Sequence, residues 1–511
     1  MASKKLSVRV RMYRQGLGDC FLLTFRRGTK DIYNMMIDCG LFLGTKRGKE
    51  IMTQVAENVK DETGGKINAV VLTHEHWDHI SGFSLAKDVF DKKDSAGKEE
   101  FVFDEVWMGW TENENDPKFT EVRERFKKKK KGLRVALDQV KNKDSEKWQT
   151  INSLVNEFFG EDENAAALVG MSGADTWKYV LGKSVTQPPR YCSPGEIHTP
   201  DGLDGVRIYV LGPPEDFDRL DDEESPEAET YRRHLRAALT DSFLAAATGD
   251  DNSLFDAEAF LPFDEKYRIA EDKAEAHSAF GGFFKTNYGD DKSADAWRQI
   301  NEDWLEMMGD LALNIDGITN NTCLALAIEL VESKKVLIFP GDAQFGNWIS
   351  WQDLKWEIPD DATGAMREIK VNELLRRTVF YKVGHHGSHN ATLKKSGLEL
   401  MESPELVAMI PTNQKFAKNK KTSRTPDGWK MPEQELLVRL EQKAKGRVIL
   451  ADEYGGAADE KKPFKVRCGN YNMTAAEKRK FLNNVKFGGS FLRLPDDTGE
   501  EPLYVEYVVK E

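Results

Sequence analysis

Short alternating or β-branched runs dominate the first hundred positions. Leu6 to Gly40 reads as two or three strands: alternation in Ser7-Val8-Arg9-Val10, then Cys20-Phe21-Leu22-Leu23-Thr24-Phe25, then Tyr33 to Ile37, each ending at glycine or a charged turn. Gln54 to Asn58 has helical spacing. Ile67 to Thr73 is a continuous β-branched run, the pattern of a strand buried on both faces, and it leads straight into His74. Glu105 to Trp110 predicts a further strand. The lysine-rich stretch Lys118 to Phe159 places Trp148, Ile151, Leu154, Val155 and Phe158 at helical spacing, so these are expected in a core.

Strand signals resume at Val206-Arg207-Ile208-Tyr209-Val210-Leu211 and stop at Gly212-Pro213-Pro214. The acidic run Glu215 to Glu229 that follows favours a solvated, mobile loop, because like charges this dense repel. Pro214 to Gly317 therefore reads as inserted, with one helix marked by Trp297, Ile300, Trp304, Met308 and Leu311 behind a cap at Ser293. Leu324 to Leu330, Val336 to Phe339, Thr378 to Val383 and Leu406 to Ile410 are further strands. Strands alternating with helices on this scale indicate an α/β layer architecture. No internal repeat is visible.

Composition narrows the class. Of 511 residues 40% are apolar and 31% charged, which suits a globular protein and excludes a disordered or collagen-like one. The longest apolar runs, Cys323 to Val331 and Val336 to Phe339, fall far short of the ~20 residues that cross a bilayer, so no span is expected. Lys4 and Lys5 lead into alternating Val8, Val10 and Met12 and not into an unbroken apolar core, so no secretory signal is read and the cytoplasm is the expected location. Five widely spaced cysteines without a C-x-x-C pair argue against a disulfide scaffold or a cysteine-type zinc finger.

The chemistry concentrates in Thr73-His74-Glu75-His76-Trp77-Asp78-His79, three imidazoles and a carboxylate directly after a buried strand. In an extended or turning backbone His74 and His76 project together while Asp78 and His79 aim at a second point, so two metal ions could sit side by side. Imidazole and carboxylate donors suit zinc, iron or manganese, and two ions roughly 3.5–4 Å apart can hold a shared hydroxide nucleophile. With nine histidines in the whole chain, three clustered beside an aspartate point to metal binding more than to ordinary polar residues at a strand end.

This H-x-H-x-D-H string resembles the signature of the metallo-β-lactamase superfamily. Asp38 in Met36-Ile37-Asp38-Cys39-Gly40, Asp342 in Phe339-Pro340-Gly341-Asp342 and His385 in Val383-Gly384-His385-His386-Gly387-Ser388 are similar to its remaining motifs in order and spacing. Gln15-Gly16-Leu17-Gly18-Asp19-Cys20, His385-His386-Gly387-Ser388 and Asn320-Asn321-Thr322-Cys323-Leu324 further resemble the hydrolase domain of bacterial DNA-uptake (competence) channel proteins. The resemblance implies an α/β fold, an αββα sandwich of two face-to-face sheets with helices outside. One domain over residues 1–511 would be recognisable at about 6–110, 203–213, 318–345 and 378–455. Around these lie helical insertions at 111–200 and 214–317, the latter acidic, and a C-terminal extension at 456–511.

By the same resemblance His74 and His76 would hold a first divalent ion, Asp78, His79 and His385 a second, and Asp342 would bridge them as a catalytic carboxylate together with Asp78. Asp38 would support the site without ligating, and could equally be a turn former. His386 would also be catalytic, assisting the leaving alkoxide, and with Ser388 would contact substrate phosphate or ligand side chains, or simply shape a tight turn. Relatives supply a third histidine to the first ion where this chain has Asn320 and Asn321, which favours an oxygen-tolerant Mn2+ over Zn2+ there. His198 is a possible substitute, though a lone loop histidine is more often a surface residue.

Such a centre fixes hydrolysis and leaves the electrophile open. The DNA-uptake resemblance implies a phosphodiester, and so a nucleic acid or nucleotide substrate. A hydrolase of a small ester, lactone or cyclic nucleotide, or a metal-binding regulatory module with a degenerate site, are the alternatives. The net charge of −13 argues against broad nucleic-acid affinity, but two basic clusters could contact phosphates. Lys127 to Lys131 with Arg123, Arg125 and Arg134 reads more simply as a solvated helix face. Lys415 to Arg424, with Lys418, Lys420 and Lys421, is better placed to line a cleft. Trp107, Trp110, Trp297 and Trp304 are expected in the core and not as base-stacking platforms.

Overall fold

The computed structural model describes residues 5–138, 148, 152, 171–221, 269, 271–288, 316–360, 364–420, 427–453, 463–493 and 500–511. Six strands open the fold: β1 (Leu6–Tyr13), β2 (Cys20–Arg27), β3 (Lys30–Cys39), β4 (Lys66–Val71), β5 (Val102–Gly109) and β6 (Arg190–Cys192). The chain then crosses to a second sheet with β7 (Ile197–His198), β8 (Val206–Gly212), β9 (Ala325–Leu330) and β10 (Lys335–Phe339). A ribbon of β11 (Lys355–Pro359) and β12 (Met366–Lys370) precedes its last strands, β13 (Thr378–Lys382), β14 (Val407–Ile410) and β15 (Val448–Leu450). Finally β16 (Val485–Arg493) and β17 (Glu500–Lys510) return to the first sheet. The spatial orders are β16-β17-β1-β2-β3-β4-β5-β6 and β15-β14-β13-β10-β9-β8-β7.

The two sheets pack face to face. Val8, Val10, Phe21, Phe25, Met35, Ile37 and Val71 from one meet Ile208, Leu326, Leu337, Phe339, Phe380 and Met409 from the other in one buried cluster, with Phe21 and Phe339 edge to face at 5.9 Å. Alternate residues of these strands point outward beneath helices. Met36, Val70 and Leu72 lie under α1 (Gly48–Thr63), whose Ile51, Met52, Val55, Ala56 and Val59 form its buried stripe, and under α2 (Trp77–Leu85). Tyr381, Ala408 and Val448 lie under the helix Gln434–Lys443 on the far side. The protein is an αββα sandwich with insertions, the architecture of the metallo-β-lactamase fold.

Of the stretch at 456–511, the described strands β16 and β17 are part of this frame. β17 runs antiparallel along β1 from Ser7↔Lys510 to Tyr13↔Tyr504, and Arg11 donates to Glu506 Oε2 through Nε at 2.8 Å, both side chains buried. The first insertion supplies α3 (Pro117–Asp138); Ile151, Leu154, Val155 and Phe158 lie outside the described residues, as do Ser293, Trp297, Ile300, Trp304, Met308 and Leu311. The acidic run departs from the expected loop at its start. Phe217–Asp221 is a short helix whose Leu220 packs with Trp110 and Val122, because these apolar residues find a core that outweighs charge repulsion; residues 222–229 lie outside the described residues. Trp107 and Trp110 are buried, the latter donating to the Pro213 carbonyl at 3.1 Å.

Candidate metal centre

At the end of β4 the Leu72 N–H still donates to the Trp107 carbonyl, and the chain then turns through Thr73 to His76 into α2. His74 and His76 thus project from the turn. Asp78 and His79 lie in the first turn of α2, where the helix dipole favours a carboxylate. The end of β3 passes so close that a Cβ on Gly40 would stand 2.0 Å from the Asp78 carbonyl carbon and 2.2 Å from the His79 nitrogen, which only glycine allows. The Gln15 to Cys20 segment closes the other flank: Asp19 N–H donates to the Asp78 carbonyl at 3.0 Å, and Gln15 Nε2 donates to the carbonyls of Gly18 and Gly40.

Asp342 follows β10, and His385 and His386 follow β13, so the second sheet delivers its groups at the same edge. Asp342 Oδ2 lies 3.1 Å from His79 Nε2 and 4.0 Å from His386 Nε2, while His386 Nε2 lies 2.9 Å from Asp78 Oδ2. Asp78, His79, Asp342 and His386 each bring a ligand atom within 4.8 Å of the others. The remaining oxygen of Asp342 is committed elsewhere, accepting from the His385 N–H at 2.9 Å and from Lys382 Nζ at 3.1 Å. Lys382 is itself buried, paired also with Asp19 and donating to the Gly341 carbonyl at 2.8 Å.

Asp38 stands behind the cluster. It accepts from Thr73 N–H at 2.8 Å and from His79 Nδ1 at 2.7 Å, which turns Nε2 of that ring toward Asp342 and Asp78. This is the carboxylate–imidazole pairing that orients metal ligands elsewhere. On the other side His74 shares its Nδ1 with Thr73 Oγ1 at 3.1 Å, and its buried Nε2 has no hydrogen-bond partner among the described residues. A buried imidazole nitrogen left in this way is costly unless something ligates it, so the donor set fits a divalent cation.

Burial drives His74 well below the usual histidine range and His76 down to about 4. Burial acts on His79 and His386 too, but the carboxylates around them outweigh it: Asp342, Asp38 and Asp78 for His79, Asp78 and Asp342 for His386, and both rings are raised. Asp78 and Asp342 are held below the carboxylate range despite burial, chiefly by His79. Burial lifts Asp19 to about 6 against the pull of Lys382. Lys382 is raised, because Asp19 and Asp342 overcome its burial.

His386, rather than His385, stands in the group of four. Both residues have positive φ, and the tight turn sends the His385 ring to Gln344, with Nδ1 3.4 Å from its Nε2, while it sends His386 inward with Nδ1 2.6 Å from the Pro411 carbonyl. Ser388 donates to Asn390, which donates to Gln344, so Ser388 belongs to the polar rim beside His385. Asn321 is buried in structural bonds, donating to the Leu220 carbonyl and accepting from Asn347 N–H, both at 3.1 Å. Asn320 donates to Asp316 at 3.1 Å. His198 groups with Cys192 and Glu196 against the Trp107 ring.

Three contributors were not assigned roles from sequence: Asp19, Lys382 and Asp316. A lysine inside an otherwise apolar strand was the available signal for Lys382; Asp316 carried none. The first basic cluster is also neither solvated nor open to phosphates in full. Arg123 and Lys130 of α3 reach Glu75 within the histidine string, at 2.7 and 2.6 Å, and Arg123 also pairs with Glu112. In the second cluster Lys420 lies over the rings of Phe42 and Phe416, and Lys421 and Arg424 lie outside the described residues.

The model of the metallo-beta-lactamase superfamily matches residues 14–145. That span holds the Gln15 to Cys20 segment, Asp38 and the whole His74 to His79 string. Members of this superfamily are mostly hydrolases and typically bind divalent metals. No curated protein matches the chain. No helix among the described residues is long and apolar enough to cross a membrane.

Proposed function

We propose that the protein is a dinuclear metal-dependent hydrolase of phosphodiester bonds, acting on a nucleic acid or a nucleotide. The observation that carries the hydrolase reading is the convergence of Asp78, His79, Asp342 and His386 within 4.8 Å at one edge of the sandwich. Those four residues would hold one ion, with His386 in the place first expected of His385. His74 and His76 would hold the other, and Asp342 would reach both. When bound, divalent ions supply Lewis-acid polarisation of a phosphoryl oxygen and an ionised water at neutral pH.

The chain's own residues prepare that chemistry. Lys382 and the His385 N–H pin one oxygen of Asp342 and leave the other toward the centre. Asp38 and the Pro411 carbonyl fix which nitrogen of His79 and His386 faces inward. His385, Gln344, Ser388 and Asn390 form a polar rim suited to a substrate's non-reacting oxygens. The phosphodiester preference is supported by the resemblance of the Gln15 to Cys20 and His385 to Ser388 strings to the DNA-uptake hydrolase domain. The cluster of Lys415, Lys418 and Lys420, the last over the rings of Phe42 and Phe416, agrees with it.

A small-molecule substrate is the second reading, favoured by the net charge of −13 and by α3, which is tied ionically to Glu75 beside the centre. Metal content of the purified protein, followed by assays of bis-p-nitrophenyl phosphate, single-stranded DNA and duplex DNA with Mn2+ and with Zn2+, separates the readings. Polymer cleavage supports the first, cleavage of the small diester alone the second. A chain that takes up metal and turns over none of the three refutes the phosphodiesterase reading.

A further inference from the structure

The imidazoles of the centre follow one rule. Nδ1 of His79 faces Asp38 at 2.7 Å, Nδ1 of His386 faces the Pro411 carbonyl at 2.6 Å, and Nδ1 of His74 faces Thr73 Oγ1 at 3.1 Å, a hydroxyl that itself donates to Asp38. Each Nδ1 therefore meets an acceptor, which places the ring proton there and leaves the Nε2 lone pair for a ligand. His76 has a carboxylate at ion-pair distance in place of a hydrogen-bond acceptor. Its Nδ1 lies 3.6 Å from Oδ1 of Asp316, a carboxylate 4% exposed that nothing in the sequence marks.

We propose that Asp316 is the positioning carboxylate of His76, the counterpart of Asp38 on His79, and that Asn320 orients it. The inference rests on the metal-centre reading above and extends it to the side where a histidine is absent. Asp316 lies in a helical stretch described at 316–321, and Asn320, one turn later, donates from Nδ2 to Asp316 Oδ2 at 3.1 Å. The relay Asn320 to Asp316 to His76 thus gives the asparagine a task of its own: it holds the group that holds a ligand. Taking a carboxylate out of water is costly unless charge or hydrogen bonds compensate it, so a buried aspartate beside an imidazole is a specific arrangement and not a filler. A negative partner on Nδ1 also raises the basicity of Nε2, which strengthens a ligand in a site one imidazole short.

Two measurements test this. Mn2+ and Zn2+ titrations, read by calorimetry and by metal content per chain, should show that Asp316→Asn and Asp316→Ala weaken one of two ions by about 10–100-fold and leave the other unchanged. Asn320→Ala should do the same to a smaller degree. Long-range 15N–1H spectra of the metal-free protein, with the His76 signal identified among nine histidines by His76→Gln, should show the proton on Nδ1 in the wild type and on Nε2 in Asp316→Ala. Circular dichroism confirms that the variants are folded. Wild-type affinity for both ions in the folded Asp316 variants, or an unchanged His76 tautomer, overturns the proposal. A wild-type chain that binds neither ion would instead overturn the metal-centre reading, while the tautomer experiment still decides the role of Asp316.

Discussion

The two halves of the candidate centre sit in different electrostatic surroundings. Around His79 and His386 the carboxylates of Asp78, Asp342 and Asp38 stand within ion-pair reach, and both imidazoles are raised toward their protonated forms. Around His74 and His76 burial prevails, and both rings are lowered toward neutrality. One half is thus a network of compensating charges, and the other holds its imidazoles neutral. On the proposed reading an ion entering the first half would displace ring protons, whereas one entering the second would meet neutral rings.

On the proposed reading Asp342 serves both ions, so its loss should give the largest effect. Asp342→Asn keeps the shape but removes the charge that faces His79 and balances Lys382, and kcat/KM should fall by roughly a thousandfold or more. Turnover near the wild-type rate in the folded variant would mean that the halves work independently of this carboxylate. Asp38→Asn should weaken the ion held by His79 by about 10–100-fold, and the ion held by His74, which Asp38 reaches only through Thr73 Oγ1, by less. Loss of both ions would show that the halves are one unit.

The charge difference can be measured directly. A metal ion entering between Asp78, His79, Asp342 and His386 displaces ring protons, so its affinity should rise with pH through the neutral range and level off above the raised histidine values. The ion at His74 and His76 meets rings already unprotonated at neutral pH, with His76 near 4, and its affinity should be nearly flat there. Calorimetry in two buffers of different ionisation enthalpy counts the protons released. Equal release for both ions would erase the distinction.

Much of this half-and-half design is legible in the chain, and some is not. The run Ile67 to Thr73 into His74 was readable because a doubly buried strand leaves a continuous apolar pattern, and the string after it has little other use for so many imidazoles. Strands β6, β7, β11, β12, β15, β16 and β17 were not read: three are two or three residues long, β11 and β12 form a separate five-residue ribbon, and the last two lie in a region of mixed composition where β17 pairs with β1, nearly five hundred positions away. The choice between His385 and His386 turns on positive φ at two adjacent residues, which no pattern of side chains announces. Asp316 and Lys382 act through tertiary neighbours, and Lys382 alone left a trace, as a charge in a buried strand. Arg123 and Lys130 looked like a solvated face because their partner Glu75 occupies a variable position of the histidine string.

That last pairing carries the smallest expected effect and tests whether the insertion belongs to the centre. Glu75 is held below the usual carboxylate range because Lys130 and Arg123 outweigh its burial, so its ion pairs stabilise the fold above the ordinary carboxylate range and are lost as pH falls through the lowered value. Since the Arg123 side chain is 35% exposed, solvent screens much of the gain, and Glu75→Gln should cost no more than about 1 kcal/mol. The variant should melt slightly below the wild type at neutral pH and low salt, and the gap should close in acid, where Glu75 is protonated, and in high salt, where the pairs are screened. If α3 covers the centre, Glu75→Gln should also speed proteolytic cleavage within α3 and lower KM for long substrates more than for a small diester. A melting gap that persists in acid would assign the effect to packing, and would leave the His74–His76 half without its ionic tie to the insertion.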